Sequence, residues 1–167
     1  AQQAGVTGSA PYSGDPDSDA ANSAAGAQEQ VPPEHQEAYM LAQQGDYAGA
    51  AAAYEKVLEA DPNDARAARE RAKALLLARS ANANVREVRA AAADNPDDVE
   101  AQLAVADIDM IGGQIQDAFD RLLDFVAAGH KADIEPVRKR LLEYFTIPEP
   151  TDERLKRARR RLATVMY

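Results

Sequence analysis

The stretch GDYAGAAAAYEKVLEADP, residues 45–62, decides the fold of this protein. Its alanine-rich body predicts one helix between two breakers, because Gly45 can take a positive φ at a tight turn and Pro62 cannot continue a helix. The small Ala50 lets an antiparallel neighbour approach closely, and Tyr54 fills the gap one turn further along. The segment is therefore predicted to be the second helix of a close-packed helix pair.

This pattern returns along the chain at a fixed spacing. One period, of about 34 residues, separates Pro62 from Pro96. Two such periods relate Gly45 to Gly113, Ala50 to Ala118 and Tyr54 to Leu122. An Asp or Asn follows each proline, where its side chain can cap the next helix. This period is that of tetratricopeptide repeats, in which each helix pair leaves an apolar face that only a neighbouring pair can cover.

The hydrophobic pattern predicts helices throughout. Apolar residues recur at i, i+3 and i+4, and no segment alternates with period two over the length of a strand. We therefore predict an all-α fold, a tetratricopeptide-type solenoid of about eight helices whose last two form a C-terminal cap. The predicted helices span residues 32–43, 47–60, 64–79, 84–94, 98–111, 115–128, 134–146 and 151–166.

The middle repeat departs from the pattern. Asn84 stands where the repeat frame places the small alanine, and SANAN replaces the glycine turn. We expect its second helix, about 85–93, to be short and poor in core contacts.

Residues 1–31 differ in composition from the rest of the chain. Of all the Leu, Ile, Val and Phe residues in the sequence, this segment contains only Val6 and Val31. Such a segment cannot bury enough apolar area to offset the entropy of ordering its backbone. We predict a flexible linker or disordered tail at 1–31 and a repeat domain at 32–167. The alternative is a frayed terminus or leader, and a first residue other than Met predicts a processed product or a fragment.

Composition excludes several classes of function. The absence of cysteine rules out disulfides, thiol chemistry and cysteine-based metal sites. A net charge of −9 disfavours general nucleic-acid binding, and no apolar run approaches the length that spans a membrane. No nucleophile motif, phosphate-binding glycine loop or EF-hand spacing occurs. We therefore expect no enzymatic activity, no cofactor and no metal.

The C-terminal part narrows the family. The segment NPDDVEAQLAVADIDMIGGQIQDAFDRLLDFV, followed by EPVRKRLLEYF and then RARRRLATVMY, is similar to the C-terminal part of the YbbN/CnoX proteins. Those are bacterial co-chaperones in which a thioredoxin domain precedes tetratricopeptide repeats. The resemblance covers about 32–167 and implies cytoplasmic holding of unfolded clients and their delivery to chaperones such as the chaperonin GroEL. No thioredoxin domain and no C-x-x-C motif occur in this sequence, and 1–31 looks like the interdomain linker.

The first helices of the repeats line the concave face of such a solenoid. The candidate contact residues on that face are Tyr39, Arg66, Arg69, Lys73, Leu77, Leu103, Asp107 and Met110. Three of these residues are cations at i, i+3 and i+7, which form a basic stripe in an acidic body and suit a peptide with a carboxylate. The alternative is a solvated helix face paired with nearby carboxylates.

Three other groups of polar residues admit structural explanations. The basic run from Lys156 to Arg161 either docks on an acidic partner surface or on nucleic acid, or it forms a solvated face. Leu155 and Leu162 belong to the inner face of that helix. His130 is expected in a loop or at a helix cap rather than as a general base. Among the aspartates between 107 and 124, Asp117, Asp120 and Asp124 follow the polar face of a helix, and the spacing is not that of a metal-binding loop.

These observations predict a protein-interaction module. The leading hypothesis is the repeat domain of a thioredoxin-like co-chaperone that binds chaperones or unfolded clients without catalysis. A generic adaptor that reads an acidic peptide or a partner's C-terminus is the second. A structural repeat domain that dimerises or spaces other domains is the third.

Overall fold

The computed structural model describes residues 30–166, so most of the predicted linker, residues 1–29, lies outside the described part. The chain divides into two compact units, with the boundary between Gln36 and Glu37. In the described part of the first unit, Pro33–His35 forms a 3-10 turn. The linker boundary at residue 31 stays a prediction.

Eight α-helices account for most of the described residues, and no strand occurs among residues 30–166. The helices are α1 Gln36–Gln43, α2 Tyr47–Ala60, α3 Ala65–Arg79, α4 Val85–Asp94, α5 Val99–Ile111, α6 Ile115–Ala127, α7 Ile134–Tyr144 and α8 Glu153–Met166. A second 3-10 turn, Lys131–Asp133, precedes α7. The predicted all-α class is confirmed.

The turn and cap residues behave as the repeat pattern predicts. Gly45 and Gly113 have φ of 83° and 80°, a conformation that L side chains rarely adopt. The Asp64 carboxylate accepts a hydrogen bond from the Ala67 backbone N–H at 3.0 Å at the start of α3. The Asp98 side chain likewise caps α5. Local chemistry therefore sets where these helices begin.

The assignment of Asn84 to the small-alanine position was wrong. Asn84 precedes α4, and its side-chain oxygen accepts a hydrogen bond from the Glu87 backbone N–H at 3.0 Å, so it is the N-cap. The half-buried Val88 occupies the fourth helical position, where Ala50 stands in α2 and Ala118 in α6. The shortness of α4 is confirmed, and Ala92 is its one buried residue.

Three helices are shorter than predicted. α1 begins at Gln36 rather than near residue 32, because Pro33–His35 forms a 3-10 turn before it. α7 ends at Tyr144 rather than near residue 146, in a turn that leads to Pro148, and a residue before proline disfavours the helical conformation. α8 begins at Glu153 rather than near residue 151, because the Asp152 carboxylate accepts a hydrogen bond from the Arg154 backbone N–H at 2.8 Å.

Helix packing places the main core at the C-terminal end of the second unit. α2 packs on α3, α4 on α5 and α5 on α6, while α7 contacts α5 and α6 and α8 contacts α6. The pair α7–α8 thus caps the third repeat. Large side chains fill this core, including Phe119, Leu122, Leu141, Tyr144 and Leu155, whereas α2 and α3 meet through small clusters dominated by alanine.

Candidate functional site

The predicted concave residues divide into an accessible set and a buried set. Lys73 is exposed and Tyr39, Arg66, Arg69 and Leu77 are half-buried, whereas Leu103, Asp107 and Met110 are buried at 3%, 3% and 7% exposure. The structure therefore does not bring all eight together on one open surface.

Helix α7 accounts for the buried set. Leu103 and Met110 belong to the same apolar cluster as Val137, Leu141 and Tyr144 of α7. The face that α5 was predicted to offer to a partner is thus covered by the chain itself. A helix lying on that face excludes a peptide from it.

Asp107 connects three helices through its two carboxylate oxygens. Oδ2 accepts hydrogen bonds from Arg79 Nε and Arg140 Nη1, both at 2.9 Å. Oδ1 accepts from Arg79 Nη2 at 3.0 Å and from the Tyr144 hydroxyl at 2.5 Å. Arg79 also bonds Glu143, with the shorter contact at 2.7 Å. These contacts join α3, α5 and α7, and they satisfy a buried charge that would otherwise be costly.

The charge network shifts two pKa values. Burial raises the pKa of Tyr144 well above its ordinary value, and the adjacent Asp107 carboxylate adds to this. Burial alone would lower the pKa of Arg79, but hydrogen bonds to Asp107 and Glu143 outweigh it and raise the pKa. Both groups therefore keep their protons in the folded protein, and the network serves as a structural tie between helices.

The basic stripe on α3 is partly neutralised. Arg69 Nε and Lys73 Nζ each lie 3.4 Å from Glu70 Oε2. Burial raises the pKa of the Tyr54 hydroxyl, and the nearby positive charge of Arg66 lowers it by a smaller amount. The stripe is accessible, but its positive charge is smaller than the sequence alone suggests.

One groove brings Arg69 together with the basic C-terminal helix. This arginine groove, of about 520 Å³, lies between the start of α3 and the connection from α7 to α8. Arg69 and Arg159 both line it, and the Arg159 guanidinium lies 5.9 Å from the centre of the Phe145 ring. Its other lining residues include Pro148, Pro150, Leu155, Asp64 and Glu149. Two arginines, two carboxylates and several apolar residues thus line one opening.

A second and larger groove, of about 910 Å³, lies between α4 and α6. We call it the α4–α6 groove. Its carboxylates come from Asp97, Asp109, Asp117, Asp120 and Asp124, and its guanidinium groups from Arg89 and Arg121. Five carboxylates against two guanidinium groups give it a negative character. The sequence did not single out this groove.

The floor of the α4–α6 groove is a fixed polar network. The buried Asp109 accepts a hydrogen bond from Arg89 Nη2 at 2.8 Å, and Arg121 Nε lies 3.8 Å from its other oxygen. Arg121 Nη1 donates to Gln102 Oε1 at 3.0 Å, and Gln102 Nε2 donates to the Ala92 carbonyl at 3.1 Å. The floor therefore has a defined shape, and α4, α5 and α6 all contribute to it.

His130 also lines this groove. Its ring stacks on Phe125, with ring centres 4.0 Å apart and planes 7° from parallel. Its Nε2 lies 3.2 Å from a carboxylate oxygen of Asp97. His130 lies just before the 3-10 turn, in the interhelix loop where the sequence predicted it.

The basic C-terminal helix is partly paired with α6. Leu155, Ala158 and Leu162 are buried, as predicted for its inner face. Arg161 makes ion pairs with Asp124 and, at 3.7 Å, with Asp120. Part of the basic run thus neutralises an acidic neighbour within the protein.

Metal-binding clusters and membrane-spanning helices are both absent from residues 30–166. No group of three or more His, Asp or Glu in that range is arranged to hold a metal ion. No helix there has both the length and the apolar character needed to cross a membrane.

The Asp107 network is the clearest feature that the sequence did not predict. A signal existed, because Asp107 interrupts the apolar run VADIDMI of a helix whose neighbours are core residues. A carboxylate at such a position requires a buried cation or several donors. The sequence does not show that Arg79, Arg140 and Tyr144 are those partners.

Successive antiparallel helix pairs, with small residues at their crossings and accessible charged grooves, define a helical-repeat protein. Comparison with known protein families agrees with this class. The tetratricopeptide repeat family matches residues 78–167, more than half of the chain, and the protein belongs to that family. Such repeats are non-catalytic and generally mediate protein–protein interaction.

Relatives occur in mycobacteria. The chain is 30% identical over 141 residues to uncharacterized protein Mb1359 of Mycobacterium bovis and to uncharacterized protein Rv1324 of Mycobacterium tuberculosis. These matches cover 83% of this chain but only 45% of each relative, so the chain spans less than half their length. No solved structure matches the chain at a significant level.

Proposed function

We propose that this chain is the protein-binding repeat domain of a thioredoxin-like co-chaperone, acting in the cytoplasm without catalysis. Its partners would be chaperones such as the chaperonin GroEL, or unfolded client proteins. Membership of the tetratricopeptide repeat family supports a protein-binding role. The similarity of the segments at 95–126, 135–145 and 157–167 to the YbbN/CnoX proteins supports the finer assignment.

The arginine groove is the observation that carries this proposal. It combines Arg69 and Arg159 with the accessible apolar surfaces of Pro148 and Pro150. A guanidinium group can hold a carboxylate through two parallel hydrogen bonds. The groove therefore suits a partner segment in which an apolar residue lies beside an acidic side chain or a C-terminal carboxylate.

The binding surface that we propose is narrower than the one predicted from the sequence. The accessible residues Tyr39, Arg66, Lys73 and Leu77 stay in the proposal, together with Arg69. Leu103, Asp107 and Met110 are left out as direct contacts, because α7 covers them.

Charge reversal at the groove tests the proposal. We expect the double variant Arg69→Glu/Arg159→Glu to lose at least about tenfold in affinity for GroEL, since each change replaces attraction by repulsion. The matched control is Arg86→Glu/Arg160→Glu, which makes the same charge change at exposed positions of α4 and α8. It should keep its affinity within about twofold.

A generic adaptor is the second candidate, because the two guanidinium groups suit any acidic peptide. An acidic probe peptide and a denatured model protein distinguish the two. Groove-dependent binding of the peptide without binding of GroEL or suppression of client aggregation would favour the adaptor. Equal binding by both double variants would overturn the groove assignment.

A further inference from the structure

The α4–α6 groove is open because α4 and α6 separate above a polar floor. α4 is a helix of ten residues, whereas its counterpart α2 has fourteen. The floor is held by Asp109, Arg89, Arg121 and Gln102, whose hydrogen bonds keep it polar. An apolar collapse of the two helices onto this floor would bury those charges, which is costly.

The rim of the groove carries carboxylates with no ion pair to the basic helix α8. Asp117 is exposed and makes no ion pair within the described part of the chain, and the Asp97 side chain is 85% exposed with His130 as its contact. Beside them, the half-buried His130 ring, which stacks on the buried Phe125, offers a flat aromatic surface. Such a surface can pack against the long apolar stem of an arginine or lysine while the charged end reaches a carboxylate.

The molecule already contains an example of this recognition. On α8, Arg161 pairs with Asp120 and Asp124, and Arg157 Nη2 donates to Gln116 Oε1 at 3.1 Å. The polar side of α6 therefore binds arginines of a helix in which they recur at i and i+4. Asp117 lines the groove together with Asp120 and Asp124 but makes no ion pair with α8.

We propose that the α4–α6 groove binds a partner segment that carries arginine or lysine side chains. The negative rim is complementary in charge to such a segment, and the aromatic stack supports its apolar stems. Exposed charge pairs are weak singly, so binding should depend on several of them and should weaken as salt rises. The rim charges should act mainly on the association rate.

This groove is distinct from the arginine groove, since the two share no lining residue. It also lies on the other side of α5 from the Asp107 network. Asp107 and Asp109 lie two positions apart on α5, so their side chains leave the helix about 160° apart at 3.6 residues per turn. Asp107 faces α3 and α7, and Asp109 faces α4 and α6. The proposal therefore does not depend on the co-chaperone assignment.

A labelled peptide with arginines at i and i+4 is the probe, and its affinity is measured by fluorescence anisotropy at low salt. We expect Asp97→Lys/Asp117→Lys to weaken binding about tenfold or more. The matched control, Glu37→Lys/Glu59→Lys, reverses two exposed carboxylates of α1 and α2 and should change affinity less than about threefold. Circular dichroism checks that both variants remain folded.

Further measurements distinguish the proposal from its alternatives. A probe with glutamine in place of arginine should bind at least about tenfold more weakly, and Arg69→Glu/Arg159→Glu should still bind the arginine probe. An equal loss of affinity in Asp97→Lys/Asp117→Lys and in Glu37→Lys/Glu59→Lys would show that only net charge matters. It would overturn the proposed site. The molecular mass of the protein in solution is also measured at increasing concentration. If it rises, and only Asp97→Lys/Asp117→Lys abolishes the rise, a second copy of the chain occupies the groove. That result would overturn the partner-segment assignment.

Discussion

At the scale of single residues, buried carboxylates hold helices of this protein in position. Asp107 and Asp109 are both almost fully buried, at 3% and 2% exposure, and each contacts arginines of other helices. Such contacts make the position of a helix depend on side chains far away in the sequence. Removing one partner leaves the other buried and unpaired, which costs more than the pair contributes.

Asp107→Ala should destabilise the protein by about 3 kcal/mol, because Arg79, Arg140 and Tyr144 lose their common acceptor. Urea unfolding followed by circular dichroism measures the change. Asp117→Ala removes an exposed carboxylate from α6 and should stay within about 0.5 kcal/mol. Equal effects of the two substitutions would contradict the role of Asp107 as a structural tie.

Tyr144 predicts an alkaline effect on stability. Its pKa is raised in the folded protein, whereas in the unfolded chain it is about 10. The stabilisation is therefore complete below about pH 10 and is lost progressively above it, because only the unfolded chain releases the proton there. In urea unfolding between about pH 9 and 11, Tyr144→Phe should show a shallower fall of stability with pH than the wild type. Identical slopes would contradict this prediction.

At the scale of helices, small residues at the crossings determine how closely a pair can pack. Ala50 and Ala118 are fully buried at the same position of α2 and α6. Ala50→Leu and Ala118→Leu should each cost about 1–3 kcal/mol, because the added volume forces the paired helices apart. Thermal unfolding tests both variants against Ala52→Leu, which lies on the exposed side of α2 and should be nearly neutral. Unchanged melting temperatures for both crossings would show that the repeat register is wrong.

The start of α4 gives a second test at this scale. Asn84→Ala removes the side-chain acceptor for the Glu87 backbone N–H and should cost about 1 kcal/mol. Asn63→Ala, in the exposed turn before α3, is the control and should have little effect. If Asn84 lay inside the helix, as the repeat spacing alone suggests, alanine would be neutral or stabilising there.

At the scale of the second unit, the core is unevenly distributed. α2 buries mainly alanines, whereas α6 buries Phe119, Leu122, Leu123 and Phe125. Larger apolar side chains remove more area from water and contribute more stability, at roughly 25 cal/mol per Å². Stability is therefore expected to differ between the two ends of the repeat array.

Hydrogen exchange measured by mass spectrometry tests this expectation. Backbone amides of α2 should exchange faster than those of α6 under native conditions, since α2 opens at a smaller cost in buried apolar area. Both are second helices of their repeats, so the comparison is matched in position. Equal protection in α2 and α6 would mean that the unit opens as one cooperative block.

Much of the fold could be predicted because its signals are local. Gly45, Gly113 and the aspartates before α3 and α5 set helix ends through their own conformation or hydrogen bonds. At Asn84 the repeat spacing and a local capping signal disagree, and the structure follows the capping signal. An Asn followed three residues later by Glu87 resembles a capping box.

The candidate site was predictable only in part. The exposed stripe on α3 follows from helical periodicity, whereas the convergence of Arg69 and Arg159 depends on how α8 returns toward α3. The α4–α6 groove likewise depends on the separation of two helices. Neither the distance between Arg69 and Arg159 nor the separation of α4 and α6 can be predicted from the pattern of one segment.

The sequence by itself determined the all-α class, the repeat period, most helix ends and the inner face of α8, because capping, turns and periodicity act within a few residues. The tertiary structure alone decided that α7 covers Leu103, Asp107 and Met110, and that Asp107 and Asp109 face opposite sides of α5 toward different partners. The physical reason is that burial and ion pairing depend on which helix arrives from elsewhere in the chain. Arg140 and Asp107 are 33 residues apart in sequence, yet their atoms lie 2.9 Å apart.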